Sequence, residues 1–188
     1  MTQDLQEEYQ LLREAAKVLL RDIPVSGSYR NVFSIWVWPS FTPAIRWTIY
    51  SPRRLAQKHQ PFASGTIWRS DLDGKKLASP VERLKHPKVL VPTIENMTVD
   101  LKVELIQEFE NSLEGLSIPI FKGMPSAIGC DGTSYEFSYN KFFYGASLSW
   151  WEDHPVEWRP FIRAVLEIIQ TLEALQGMKT PADASNGQ

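Results

Sequence analysis

Val32-Phe33-Ser34-Ile35-Trp36-Val37-Trp38 is the stretch on which the fold turns. In an extended chain Phe33, Ile35 and Val37 point one way, while Val32, Trp36 and Trp38 point the other with Ser34 among them. Both sides are largely apolar, which predicts an interior strand covered on each face. Residues 39–43, bounded by prolines, make a turn. Ile45, Trp47 and Ile49 then alternate with Arg46, Thr48 and Tyr50, the pattern of a half-buried strand that closes a hairpin. Residues 51–63 are basic and hold two prolines, so a loop or short helix is expected. A third strand is expected over 65–72, ending in turn chemistry at Asp73-Gly74.

Working outward, Leu5, Tyr9, Leu12, Ala16, Leu19 and Leu20 recur at spacings of three and four, which predicts a helix over 4–21. The residues after Asp73-Gly74, through Pro80, Pro87 and Pro92, are expected to be irregular. Thr98 is read as the N-cap of a helix over 99–114, with Leu101, Leu105, Ile106 and Phe109 inward and Gly115 just beyond. Short strands are expected over 118–121 and 127–130, and Asp131-Gly132 as a hairpin turn. Thr133, Tyr135, Phe137 and Tyr139 then alternate with polar residues, and a further strand follows over 142–151. Near the end, Pro155 opens a first turn and Pro160 delays the regular helix to 159–176, whose stripe is Phe161, Ile162, Val165, Ile168, Ile169, Leu172 and Leu175. Strands in consecutive runs predict an α+β fold: a largely antiparallel sheet of five to six strands with three main helices packed against it.

A chain of 188 residues, 43% of them apolar, has enough for one substantial core, so 1–176 is expected to be a single domain and 177–188 a mobile tail. Charge is unevenly spread. Between Arg46 and Lys88 ten basic residues face three acidic ones, a net +7, which leaves −9 for the remainder given the formal total of −2. Much of that −9 is Glu95, Asp100, Glu104, Glu108, Glu110 and Glu114, which face only Lys102. The overall negative balance argues against nucleic acid, although Arg53-Arg54 and Lys58 could contact phosphate. Cys130 is the lone cysteine, so no internal disulfide is expected. The first residues carry no secretion signal and no run is long enough to span a bilayer, so a cytoplasmic protein without a membrane partner is expected.

Motifs for chemistry are weak. Cys130 with His59, His86 or His154 would need a spatial pairing that nothing in the sequence supplies, and its apolar strand setting suits a small hydrophobe. Gly145-Ala146-Ser147-Leu148-Ser149 starts like a nucleophile elbow, but lacks the closing glycine and lies in an expected strand. Asp71-Leu72-Asp73-Gly74 has its glycine too early for a calcium loop. Glu152, Asp153 and His154 are adjacent, which suits the start of the final helix, with Asp153 or His154 as its cap, better than one metal ion. No catalytic residue, metal ligand or cofactor is therefore assigned. Trp150-Trp151 and Trp158 are the most distinctive feature: neighbouring strand residues face opposite ways, so Trp151 could line a groove with Trp158.

Asp131-Gly132-Thr133-Ser134-Tyr135-Glu136, followed by Ser149-Trp150-Trp151, Pro155 and Trp158-Arg159-Pro160-Phe161, resembles a pattern near the C-terminus of small uncharacterised bacterial proteins. Some of those are suspected immunity proteins of toxin systems. The resemblance spans about 35 residues, implies a bacterial origin and assigns no catalytic residue. Together these features lead to the expectation of a non-catalytic protein-binding domain, an immunity-type inhibitor of a toxin, with Glu104, Glu108, Trp151 and Trp158 as contact candidates. The alternative is an enzyme or small-ligand binder with a groove near Trp151, Glu152, Asp153 and His154. Self-association is the third expectation.

Overall fold

The computed structural model describes residues 3–21, 27–40, 42–53, 59–79, 81, 91–119, 132–141 and 144–177. In chain order its elements are α1 (Gln3–Leu19), β1 (Tyr29–Pro39), β2 (Ala44–Pro52), β3 (Phe62–Trp68), α2 (Ser70–Ala78), β4 (Ile94–Asp100), α3 (Val103–Leu113), β5 (Thr133–Lys141), β6 (Tyr144–Trp151) and α4 (Arg159–Gln176). A single 3-10 turn, Val156–Trp158, leads into α4. The fold is α+β. All six strands form one antiparallel sheet in the order β4-β3-β2-β1-β5-β6.

Interior placement of β1 follows from its two apolar sides. Phe33 and Ile35 join a core with Trp47 and Ile49 of β2, Phe137 of β5 and the inner stripes of α3 and α4. Trp38, with Trp36 packed against it, belongs to a second core on the opposite face, with Ala44, Trp68, Leu77 of α2, and Leu12 and Ala16 of α1. Val32 was expected beside Trp36 and Trp38. It lies in the first core instead, because the pairing register shifts between Asn31 and Phe33. Gly65 faces Trp47 across the sheet, and an added Cβ there would lie 2.8 Å from the Trp47 ring and 2.7 Å from Met97, so this close crossing of large side chains requires glycine.

Four expectations are corrected. Asp73-Gly74 is no turn but the middle of α2; β3 spans Phe62–Trp68 and stops before it. Asp71 and Asp73 occupy the first turn of α2 and Lys75 and Lys76 its last, which suits the helix dipole, and the Asp73 carboxylate is used inside the protein. Thr98 and Val99 do not begin a helix: they pair with Ser64 and Ala63 as part of β4, and α3 starts at Val103 after Lys102. Nor do Asp153 or His154 cap the last helix, since the residues in those cap positions are Pro155 and Trp158 and neither makes a side-chain cap bond. Residues 118 and 119 are not strand. The expected strand at 127–130, Cys130, Asp131, His86, Arg54, Lys58 and the 178–188 part of the tail lie outside the described residues.

The final helix follows the sequence closely, with its regular turns over Arg159–Gln176 and Pro160 at its start. Gly177 closes it in the left-handed region at φ 71°, a conformation that costs glycine no Cβ clash.

Candidate functional site

Helix α3 presents two sides. Ile106 and Phe109 are buried against the sheet, while Glu104 and Glu108 are exposed on its outer side. Where α3 ends, the chain and the β5–β6 hairpin border a solvent-open cavity of about 340 Å³. Its walls are apolar, from Phe33, Phe137, Leu148 and Phe161 with Leu113 and Ile118; Glu110, Glu114, Tyr139, Lys141 and Ser147 supply its polar groups. Tyr139 donates its hydroxyl to Glu110 Oε1 at 3.2 Å. Burial, and next the Glu110 carboxylate, raise the Tyr139 ionisation above the ordinary phenol value, so Tyr139 remains a donor at neutral pH.

Among the described residues no lysine or arginine pairs with Glu104, Glu108 or Glu114. The basic segment behaves differently. Arg69 binds Asp71 at 3.0 Å and Glu95 at 2.7 Å, Lys76 binds Asp73 at 3.1 Å, and Arg53 donates to the Tyr29 carbonyl at 3.1 Å. Arg46 is buried: it donates to the Leu20 carbonyl at 3.0 Å and to Ser34 Oγ at 3.3 Å, and lies 4.7 Å from the centre of the Trp36 ring. These cations secure the fold, whereas Glu104 and Glu108 of α3 face outward.

The sequence candidates are not gathered into one place. Trp158 is 4% exposed, sits in the first core, and donates its indole N–H to the Pro119 carbonyl at 3.2 Å. Trp151 is half-buried, its ring lying over Gly132. The Tyr139–Ala146 pair at the cavity and the Ser134–Trp151 pair are five positions apart, about 17 Å along the strands at ~3.4 Å per residue. Trp151 is therefore remote from the α3 end of the hairpin. Neither Trp151, Glu152, Asp153 nor His154 lines the cavity. Glu152 instead accepts a bond from the Thr133 N–H at 3.0 Å, and His154 Nδ1 bonds the Glu152 carbonyl at 2.7 Å, so this corner is tied into the start of β5.

In the sequence Glu110 and Glu114 stand out only as charge, and Tyr139 and Lys141 only as residues in or beside an expected strand. Their juxtaposition depends on α3 crossing onto a hairpin that begins twenty residues further along the chain. A discernible signal was the unbalanced acidic run ending in Leu113-Glu114-Gly115-Leu116, where apolar residues continue past the helix end.

Among the described residues no three His, Cys, Asp or Glu side chains gather to hold a metal ion, and no helix is long and apolar enough to cross a membrane. No family model, curated protein or solved structure matches the chain.

Proposed function

We propose that this chain is a non-catalytic binding protein that recognises a basic partner protein through α3 and the cavity beside it, as an immunity-type inhibitor would hold its toxin. The observation that carries the reading is the row of exposed carboxylates, Glu104, Glu108 and Glu114, with no described cation paired to it, next to an apolar cavity. Exposed like charges steer an oppositely charged partner and set its orientation, while an apolar recess takes an anchoring side chain and supplies most of the affinity. The resemblance of the 131–161 segment to small uncharacterised bacterial proteins, some of them suspected immunity proteins, agrees with this reading, as does the use of Arg46, Arg69 and Lys76 within the fold.

Capture from the native host at low salt, with the unaltered chain and with a Glu104→Lys/Glu108→Lys double variant, tests it. A basic protein retained by the first and lost by the second, at equal thermal stability, is the expected result. Identical recoveries from both would remove the basis for the proposal.

A second reading, small-ligand binding, is favoured by the cavity itself, whose size and apolar lining with a few polar groups suit a compact organic molecule. It predicts that Phe137→Ala changes ligand binding, whereas Glu104→Lys does not.

A further inference from the structure

The two outer strands of the sheet are unlike each other. An edge strand exposes unpaired backbone donors and acceptors, and proteins usually blunt it with charge, proline or a bulge. β4 holds Glu95 and Asp100 within seven residues, and Glu95 is clasped by Arg69 at 2.7 Å. β6, Tyr-Gly-Ala-Ser-Leu-Ser-Trp-Trp, has no charge and no proline, and pairs with β5 without a register shift. Gly145, Ala146, Ser147 and Ser149 are exposed, and among the described residues no strand covers its outer side.

We propose that β6 is a self-association edge, pairing antiparallel with β6 of a second copy of this chain about a two-fold axis at Leu148. The proposal stands on the sheet edge, independently of the acidic helix. A two-fold axis perpendicular to a sheet keeps its faces, so opposed residues must point the same way. Centring on Leu148 meets this condition: Leu148 opposes itself, Ala146 opposes Trp150 and Ser147 opposes Ser149, while Gly145 opposes Trp151. Small residues thus meet the two large rings on both faces, and no like charges are placed opposite each other.

The test is sedimentation equilibrium of the full chain across roughly 5–500 µM, the range suited to a small interface. The expected mass rises from 21.5 kDa toward twice that value. Ser147→Lys/Ser149→Lys sets lysines opposite one another and should weaken association at least tenfold; Ser147→Glu/Ser149→Lys sets glutamate against lysine across the axis, with the lysine at position 149 facing Glu136 of β5, and should preserve it. Both positions are exposed, and equal melting temperatures would show that the variants fold. A monomer throughout the range, a dimer indifferent to the paired lysines, or a dimer lost in both variants would each overturn the proposal, the last by rejecting the Leu148-centred register.

Discussion

The face of the sheet under α3 and α4 and the face under α1 and α2 are built from alternate residues of the same strands, yet they are held by different forces. On the first, Phe33, Ile35, Trp47, Ile49 and Val165 are fully buried among other apolar side chains, so exclusion of water does most of the work. On the second, three tryptophans gather at one end, with Trp38 and Trp68 ring centres 5.5 Å apart, and the rest is secured by buried polar groups. Arg46 fastens the chain just after α1 to the sheet. Asp73 accepts bonds from Trp68 Nε1 at 2.9 Å, Lys76 Nζ at 3.1 Å and the Thr93 N–H at 2.8 Å, and also from the Thr93 hydroxyl. One face tolerates imprecision in direction; the other depends on individual donors and acceptors.

Trp47→Ala is expected to be the most damaging single change, because it empties the middle of the first core opposite Gly65, at about 3–5 kcal/mol. Urea unfolding followed by circular dichroism would show it; Trp38→Ala on the second face should cost less, its ring being 8% exposed. Next in size, Asp73→Ala should lose about 2–4 kcal/mol, because it strands the Trp68 indole and the Thr93 amide in a buried site. A near-neutral Asp73→Ala would mean that the second face also rests on packing alone.

The smallest expected effect has the opposite sign. Glu173 in the last turn of α4 is 7% exposed, and burial raises its carboxyl above the ordinary glutamate value. Because its folded-state value is the higher one, the charged carboxylate costs stability at pH above it. That cost fades as the pH falls through it toward the unfolded value of about 4.3. Glu173→Gln should therefore stabilise the protein by about 1 kcal/mol at neutral pH. The gain should shrink as the medium is acidified, which melting curves of both proteins at neutral pH and near the unfolded glutamate value would reveal.

Elements rich in buried apolar residues, β1, β2 and α4, were legible in the sequence by alternation or by a helical stripe. β5 was legible by the alternation of Tyr135, Phe137 and Tyr139 with polar residues, although only Phe137 is buried. α2 and β4 were not. In α2 only Leu77 is a buried apolar residue and Gly74 mimics a turn, so its helix depends on what Asp73 meets in space. In β4 only Val99 is buried, because an edge strand with one covered face and polar Glu95, Asn96 and Thr98 lacks the usual alternation. The acidic residues of α3 were visible as charge, but the cavity beside them is lined by Phe33, Leu113 and Phe137 from three separate elements, which no local pattern encodes.

Hydrogen exchange of the chain, free and bound to the basic protein it captures, reads the recognition surface directly. Binding on α3 predicts slowed exchange over Val103–Leu113 and in the residues up to 118, with the Trp151–His154 corner unchanged. Slowed exchange at that corner with α3 unaffected would contradict the account.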